Sequence, residues 1–481
     1  MLGLAKFELE NVEDAYVKIP LKMLNRHGLI AGATGTGKTI TLQTLTENLS
    51  KSGIPTLIMD IKGDLSGIAM AGSSNPRVEE RISILKLEAD YTNNPVEFIT
   101  ISDQPGVPMR ATISEFGPIL LAKVLGLNDT QEGVLSMLFK YCDDRALPLL
   151  DLKDLKEILI RAGEELKDDL QKNFGAFSAT SMGTILRKVI EIEQQGAENF
   201  FGERSFDVED FLRKDDGKGL IHILRVADIQ DRPKLFSTLM LSLLAEVYKT
   251  FPEVGDLDKP KFCIFIDEAH LIFEEATESL LKQMETTIKL IRSKGVGIFF
   301  ITQNPSDVPE SILAQLGLKI QHALRAFTAK DQKSIQLAAD NFPITSYYKI
   351  EETLISMGIG EALVITLNEK GIPTPLAHTL TRPPMSRIGV LTSEELQNIV
   401  SNSEIMDNYK EVINRESAYE ILTGKIQDAQ IDASSEEATK EEGSSVFERV
   451  GDAINSPIGK IVVREVTRGL LGVLGFGRRR R

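Results

Sequence analysis

The chain has 481 residues, 42% of them apolar and 26% charged, and a formal net charge of −15 at pH 7. Its length is sufficient for one large domain with additions or for two or three ordinary domains. No apolar run reaches the roughly 18 residues of a membrane span, and the negative charge argues against a generally basic surface for nucleic acid. A small basic patch, or a narrow basic channel beneath an acidic exterior, is compatible with that charge.

The amino-terminal residues and the cysteines indicate a cytoplasmic protein. Residues Met1 to Glu10 include acidic side chains and lack a basic segment followed by an apolar stretch, so no secretory signal is predicted. The two cysteines, Cys142 and Cys263, lie far apart in the sequence and have no histidine at metal-binding spacing. We therefore expect buried thiols rather than a disulfide framework or a zinc site.

Short apolar runs alternate with helical patterns, which is typical of an α/β protein with a mostly parallel sheet flanked by helices. A strand at residues 27–31 is predicted to enter a glycine-rich loop, and the helix after that loop has an apolar stripe that ends before Gly53. Further buried strands are predicted where the apolar character is continuous. They cover residues 54–60, 96–101, 220–226, 262–266, 296–302, 318–324, 361–367 and 374–380.

Between about residues 119 and 191 the strand signals disappear and helical periodicity replaces them, with Asp151 as a predicted helix cap. Another helix, at 234–248, is apolar almost all round and is expected to pack in the core. The segment Arg382-Pro383-Pro384 predicts a boundary. The predicted organisation is a first part of the core at 1–116, a mainly helical insertion at 117–215, a second part of the core at 216–390, a helical extension at 391–426, an acidic linker at 427–445 and an amphipathic segment with a basic tip at 446–481.

Residues Gly32 to Thr39 form a complete phosphate-binding loop: a glycine, four residues and Gly-Lys-Thr, between a predicted strand and a predicted helix. Glycines allow successive backbone N–H groups to turn toward phosphates, and the helix N-terminus adds positive potential. Lys38 is expected to reach the β and γ phosphates of ATP, and Thr39 to bind its magnesium ion. The candidate nucleotide ligands are Gly32, Ala33, Thr34, Gly35, Thr36, Gly37, Lys38 and Thr39.

A later buried strand delivers two adjacent carboxylates, Asp267 and Glu268, at its carboxyl end, where α/β proteins bind ligands. Asp267 is expected to hold magnesium directly or through water, and Glu268 to orient and deprotonate the attacking water. His270 follows two residues later. It either couples to the catalytic acid or caps and packs locally, and the sequence favours neither interpretation.

Gln303 stands at the end of the strand predicted at 296–302. A polar side chain there is able to touch both the γ phosphate and the attacking water, so Gln303 is predicted to be a sensor of the nucleotide. The alternative is that Gln303 and Asn304 only begin the turn at Pro305.

Together these motifs resemble those of the HerA and FtsK superfamily of ring ATPases, and more specifically its stand-alone bacterial HerA-like group. The resemblance implies a RecA-like, additional-strand P-loop core, ATP with magnesium, a homo-hexameric ring, and action on DNA threaded through or held by that ring. Lys38 stands too early for the small β-barrel that precedes the motor in HerA itself, so partner docking through a barrel is not expected. The resemblance covers about residues 20–390 and is carried by segments 32–39, 60–64, 265–270, 301–305, 321–325 and 360–362.

The resemblance also suggests roles for three further places in the chain. Arg325 is expected to reach the γ phosphate bound by a neighbouring subunit, with Arg292 as the competing candidate. The segment from Asp60 to Asp64 is expected to order the site or bridge subunits, although a charged turn explains it equally well.

The predicted function is an ATP-hydrolysing ring motor of the translocase or helicase kind, acting on DNA. Two alternatives stay open. A nucleotide-dependent scaffold or switch that moves no nucleic acid is favoured by the acidic charge, and a motor for a protein substrate is the third interpretation. The sequence does not identify an accessory partner.

Overall fold

The structure, a computed structural model, describes residues 1–7, 10–255, 257–274 and 276–424. The chain divides into one unit at Met1–Glu420 and another at Ile421–Arg481, and the fold given below is that of the first unit. The predicted acidic linker at 427–445 and amphipathic segment at 446–481 lie outside the described residues. Among the helices that are described, none is long and apolar enough to cross a membrane.

The strands of this unit coincide largely with the apolar runs of the sequence, whose β-branched and aromatic residues pack on both faces of a sheet. In chain order they are β1 (Gly3–Phe7), β2 (Glu10–Val17), β3 (Gly28–Ala31), β4 (Thr56–Asp60), β5 (Val96–Thr100), β6 (Val107–Pro108), β7 (Lys214–Asp215), β8 (Lys218–Gly219), β9 (Ile221–Arg225), β10 (Phe262–Ile266), β11 (Val296–Thr302), β12 (Leu318–His322), β13 (Glu361–Ile365) and β14 (Ala377–Thr381). Every residue of β3, β4, β10 and β11 is buried.

Twelve of the described strands form one sheet, in the order β2-β1-β14-β13-β12-β3-β11-β10-β4-β9-β5-β6. The eight strands from β12 to β6 run parallel. Strands β13, β14, β1 and β2 extend the sheet in antiparallel pairs. The predicted mostly parallel sheet with additional strands is confirmed. Because parallel strands end at the same edge, the residues that follow β3, β10, β11 and β12 meet there.

The sequence pattern does not predict β1 and β2. The first five residues of β2 are exposed and its last three only partly buried, since this strand forms the outer edge of the sheet. An edge strand without a buried face has no alternation of apolar and polar residues, and this is why the pattern fails there.

The helices cover the sheet and fill the interval between β6 and β7. They are α1 (Lys38–Lys51), α2 (Pro76–Ile84), α3 (Ile113–Leu125), α4 (Asp129–Asp144), α5 (Leu152–Gly163), α6 (Lys167–Phe174), α7 (Ala179–Gln194), α8 (Pro233–Thr250), α9 (His270–Phe273), α10 (Glu278–Ile291), α11 (Glu310–Leu313), α12 (Ala329–Asp340), α13 (Ile350–Ser356), α14 (Ser393–Ser401) and α15 (Met406–Tyr409). Capping boxes begin α3, α4 and α5 at Thr112, Asn128 and the predicted Asp151. Helices α3, α8 and α10 pack on one another, which joins the helical region to the sheet.

Buried histidines in the sheet and directly before β3 make the stability of the fold depend on pH. Burial lowers the pKa of His27, His222 and His322 to about 4. The backbone N–H of Ile298 donates to Nδ1 of His27 at 3.0 Å, so this nitrogen must be unprotonated in the folded chain. The unfolded chain takes up a proton near pH 6.5, so each of these histidines disfavours folding increasingly as the pH falls from 6.5 toward 4.

We expect His27→Asn to remove one such contribution. Asparagine keeps an acceptor for the Ile298 N–H and tolerates the positive φ of 61° at this position. When the pH is lowered from 7.5 to 5, the unfolding free energy of the wild type should fall by roughly 2 kcal/mol more than that of the variant. Urea unfolding of both chains at both pH values measures this difference. Asp60 and Asp267, whose raised pKa values act in the opposite direction, are present in both chains and cancel. An equal pH dependence in the two chains would show that His27 does not resist protonation.

Candidate functional site

The predicted phosphate-binding loop lies at the carboxyl edge of the sheet, between β3 and α1. Two of its glycines have little or no room for a side chain. A Cβ on Gly32 would lie 2.5 Å from the Cβ of His322, and a Cβ on Gly37 would lie 3.3 Å from the Cα of Gly360. Both glycines also have positive φ, at 153° and 120°.

Neighbouring strands support this loop through backbone hydrogen bonds. The N–H of Ala33 donates to the carbonyl of Ala323 at 2.9 Å, and the N–H of Gly360 donates to the carbonyl of Thr36 at 2.9 Å. The residues that follow β12 and those that precede β13 therefore hold the loop in shape from one side.

The ammonium of Lys38 lies inside the loop. Its Nζ donates to the carbonyl oxygens of Gly32, at 2.6 Å, and Ala33, at 3.2 Å. Burial lowers the pKa of Lys38, and Lys62 acts in the same direction, whereas Glu268 and Asp267 oppose the shift. Thr39, the second residue of α1, is partly buried beside it. The loop thus has a cation at its centre and the N-terminus of a 14-residue helix behind it, an arrangement suited to an anion.

Asp267 and Glu268 follow β10 at the same edge, separated from β3 by β11 alone. Both side chains are buried, and Glu268 adopts a positive φ of 45°, a backbone conformation that non-glycine residues rarely adopt. Burial raises the pKa of Asp267 to about 6, with Lys62 opposing the shift and Glu268 adding to it. A cation at this place would relieve the cost of keeping both carboxylates charged.

The residues that follow β4 contribute to this acidic site. Lys62 forms an ion pair with Oε1 of Glu268, and its Nζ lies 4.0 Å from Oδ2 of Asp267. Asp60 accepts hydrogen bonds from the N–H groups of Gly63, at 2.8 Å, and Leu65, at 3.3 Å, so its carboxylate shapes the turn that presents Lys62. The structure therefore places the segment from Asp60 to Asp64 beside the carboxylates of β10.

The oxygen atoms at this place fit a divalent cation that takes some of its ligands from the protein and the others from phosphate and water. Oδ1 of Asp64 is buried without a hydrogen-bond partner among the described residues, and so is Oε2 of Glu268, which lies 3.3 Å from Nδ1 of His270 without a hydrogen bond between them. Across that part of the chain, no three or more His, Cys, Asp or Glu side chains are grouped so as to enclose a metal. Magnesium at nucleotide sites commonly uses one or two protein oxygens and takes the rest from phosphate and water.

Gln303 and His270 share a cavity of about 450 Å³ that also includes Asn304 and Asp307. The carboxylate of Asp307 accepts from the Thr302 hydroxyl at 2.5 Å and from the Asn304 N–H at 3.0 Å. Asn304 thus belongs to the turn at Pro305, whereas the exposed Gln303 faces the cavity. His270 connects this cavity to the carboxylates, because its Nδ1 lies 3.3 Å from Oε2 of Glu268.

The two candidate arginines lie at opposite ends of the parallel strands. Arg325 is exposed just beyond the carboxyl end of β12, and its Nη1 donates to the carbonyl of Ile355 at 3.1 Å. Arg292 lies before the amino end of β11 and is therefore far from the phosphate-loop edge. The structure brings Lys38, Asp267, Glu268 and Lys62 together, and leaves both arginines outside that group.

For some residues of the site, the sequence predicts no role. Arg81, from α2, donates to the carbonyls of Gly360, at 2.9 Å, and Thr381, at 3.0 Å, and so fixes the turn that supports the loop. His322 lies beneath the loop, and its Nε2 accepts from the Thr41 hydroxyl at 3.0 Å. The segments 321–325 and 360–362 stand out in the sequence, but no spacing rule connects them with a loop some 300 residues away.

The parallel sheet, the phosphate-binding loop after β3 and the paired carboxylates after β10 define a P-loop NTPase fold of the RecA-like class. Within this class, residues 6–460 match the family described as Helicase HerA-like C-terminal. The chain belongs to that family, as the resemblance in its motifs predicts.

Curated relatives are similar over most of this chain but extend well beyond it. The DNA double-strand break repair helicase HerA of Sulfolobus acidocaldarius is 24% identical over 365 residues, which cover 74% of this chain and 64% of that protein. The protein of the same name from Sulfurisphaera tokodaii is 25% identical over 373 residues, covering 73% of this chain and 64% of that protein. The chain therefore matches less than two thirds of the length of these relatives.

A solved structure shows the same fold. The plasmid coupling protein TrwB in complex with the non-hydrolysable ATP analogue ADPNP superposes with a TM-score of 0.52 at 15% identity, over 81% of this chain and 97% of that chain. At this identity the likeness concerns the fold alone.

Proposed function

We propose that this chain binds ATP with Mg2+ and hydrolyses it. One observation carries the proposal: the Lys38 loop and the Asp267-Glu268 pair lie at one edge of the sheet, with only β11 between their strands. Phosphoryl transfer requires little more than positioning and charge stabilisation, which a cationic loop opposite two carboxylates supplies.

Each residue of the site has a distinct task in this proposal. Lys38 and the backbone N–H groups of residues 32–39 bind the phosphates, and Glu268 accepts a proton from the attacking water. Gln303 orients that water and the γ phosphate. Thr39 and Asp267 would hold magnesium, which neutralises charge on the phosphate oxygens when bound.

We also propose that the chain assembles as a homo-hexameric ring and acts on DNA as a translocase or helicase. The relatives named as HerA repair helicases support this reading, together with the family that the chain belongs to. ATPase rates should rise with duplex or single-stranded DNA at low salt and fall back as salt is added, because contacts to the phosphate backbone weaken with salt. Lys38→Ala provides the blank for these ATPase rates. Sedimentation with and without nucleotide measures the number of subunits in the assembly directly.

A nucleotide-dependent scaffold is the second candidate, and the net charge of −15 favours it. In that case ATPase rates should not respond to duplex DNA, single-stranded DNA or RNA at any salt concentration. Such a result, obtained with an active ATPase, would refute the DNA motor and leave the hydrolytic proposal intact.

Lys62 is expected to compete with magnesium for the two carboxylates. Lys62→Gln removes the ammonium that pairs with Glu268, so the magnesium concentration for half-maximal nucleotide binding should fall by a factor of about 10. A magnesium titration with a fluorescent ATP analogue measures this concentration. Lys51→Gln, at the far end of α1, should leave it unchanged. An unaltered magnesium requirement in Lys62→Gln would contradict the competition.

Gln303→Ala is expected to retain nucleotide binding and to slow hydrolysis by a factor on the order of 10 to 1000, as when a polar group positioned for the transition state is removed. Single-turnover hydrolysis with bound ATP measures the chemical step. Gln397→Ala, at an exposed glutamine of α14, is the matched control. A wild-type rate in Gln303→Ala would eliminate the sensor role.

A further inference from the structure

Lys62 is a partly exposed cation beside two buried carboxylates, and the hydrolytic steps described so far give it no contact with the nucleotide. Its ammonium pairs with Oε1 of Glu268 and lies 4.0 Å from Oδ2 of Asp267. The side chain of the lysine is 38% exposed, whereas those of Asp267 and Glu268 are 6% and 8% exposed. Of these three side chains, the lysine is therefore the one that can change position without disturbing the packed interior.

The backbone of Lys62 is held at the carboxyl end of β4. Asp60, the last residue of that strand, accepts hydrogen bonds from the N–H groups of Gly63, at 2.8 Å, and Leu65, at 3.3 Å. Strand β4 pairs directly with β10 in parallel, so the turn after β4 lies beside the residues that follow β10. The turn therefore fixes the start of a long, flexible side chain next to the two carboxylates.

The proposed task of Glu268 determines how near Lys62 is to the reacting phosphate. The attacking water must lie about 3 Å from the carboxylate that takes its proton, and about 3 to 3.5 Å from the γ phosphorus. An ammonium bonded to the same carboxylate is then within one side-chain movement of the γ phosphate oxygens. The ammonium of Lys38 is also near, because its repulsion by Lys62 adds to burial in lowering the pKa of Lys38.

The carboxylates and a bound nucleotide compete for the ammonium of Lys62. In the ion pair, the ammonium offsets two adjacent carboxylates that repel each other. Asp267 is proposed to hold magnesium, whose charge would replace that of the ammonium beside this carboxylate. The γ phosphate, which carries more negative charge than one carboxylate, is then the stronger partner for the lysine. Departure of the lysine also leaves Oε1 of Glu268 free for the attacking water.

We propose that Lys62 is a further catalytic residue, an inference that rests on the proposed function. Its ammonium leaves Glu268 when ATP binds and donates to an oxygen of the γ phosphate held by the same subunit. The water oxygen then bonds to the γ phosphorus, the bond from that phosphorus to the β–γ bridging oxygen breaks, and Glu268 takes the water proton, which yields ADP and phosphate. Throughout this step Lys62 stabilises the charge on the phosphoryl group in transfer.

The test compares a mimic of the transition state with a mimic of bound ATP, at saturating magnesium so that the requirement for this ion does not contribute. Lys62→Gln should bind ADP with aluminium fluoride about 100-fold more weakly than the wild type does, and its single-turnover hydrolysis should slow by a similar factor. Its affinity for ADPNP should change less than about threefold, because the ground-state contact is offset by the lost ion pair with Glu268. Lys62→Arg keeps the charge and should restore part of both losses.

Lys86→Gln is the matched control, since Lys86 also pairs with two adjacent carboxylates, those of Glu13 and Asp14 on β2 at the outer edge of the sheet. It should alter neither affinity nor rate. Lys38→Ala should weaken both analogues and thus tests the proposed ATP site itself. Thermal unfolding of every variant shows whether the fold is retained, and Lys62→Arg carries the test if Lys62→Gln does not fold.

The outcomes separate this inference from the proposed function. If Lys38→Ala weakens neither analogue, the proposed function fails. If Lys38→Ala weakens both and Lys62→Gln binds ADP with aluminium fluoride as the wild type does, only the role of Lys62 is refuted. Equal weakening of both analogues by Lys62→Gln would restrict the lysine to ground-state binding, and faster hydrolysis would show that it only restrains Glu268. Either of these two results overturns the inference.

Discussion

Lys38→Ala should lose tight binding of ATP, whereas Glu268→Gln should keep that binding and lose turnover by a factor of about 100 to 10,000. The difference follows from where each side chain lies. The ammonium of Lys38 lies within the loop, bonded to its carbonyls, so its removal takes away the charge that attracts the phosphates. Glu268 lies beyond β11, and the glutamine amide keeps its size while it loses the ability to accept a proton.

The measurement is paired: equilibrium binding of a fluorescent ATP analogue, and steady-state release of phosphate, on each variant. Lys51→Ala changes the same residue type at the other end of α1, where the ammonium makes a surface ion pair with Asp90 at 3.1 Å, and should alter neither quantity. Equal losses of binding in Lys38→Ala and Glu268→Gln would contradict the division of labour between the two residues.

The part of this site that sequence can predict is the part encoded locally. Residues 32–39 follow one another in the chain, and the strand before them and the helix after them are visible as apolar patterns. The sequence therefore predicts both the position of the loop and its conformation. Asp267 and Glu268 are predicted for the same reason, since a continuous apolar run ends on them. Parallel strands end at one edge, and this geometric rule alone brings the two motifs together.

The remaining parts depend on contacts between distant segments, which no periodicity encodes. Lys62 pairs with Glu268 across about 200 residues of sequence, and in the sequence alone it is as consistent with a charged turn as with an ordered site. Arg81 lies on a short amphipathic helix, and only the structure shows that it donates to the carbonyls around Gly360. Strand β2 is missed because it is an exposed edge whose pairing partner, β1, contributes no sequence signal of its own.

Arg325→Ala is expected to bind ATP and assemble, yet hydrolyse ATP about 1000-fold more slowly or worse, if Arg325 stabilises the phosphate held by a neighbouring subunit. Arg325 is exposed at the phosphate-loop edge of the sheet, and within the described part of the chain it forms no ion pair, so it is available to a neighbour. Mixing Arg325→Ala with Glu268→Gln subunits creates some interfaces with an intact Glu268 opposite an intact Arg325. Activity of the mixture should then exceed that of either variant alone.

Mixed assembly must be verified first, for example by pull-down of differently tagged subunits, because unmixed rings would show no recovery for a trivial reason. The rival arginine provides the control: Arg292 lies at the opposite edge of the sheet, so Arg292→Ala should keep its own hydrolytic rate and require no complementation. Recovery that occurs with Arg292→Ala and not with Arg325→Ala would transfer the role to Arg292. If verified mixed rings of either pair recover no ATPase activity, neither arginine acts across an interface independently of the other interfaces. Hydrolysis would then have to be coordinated around the whole ring or completed within one subunit.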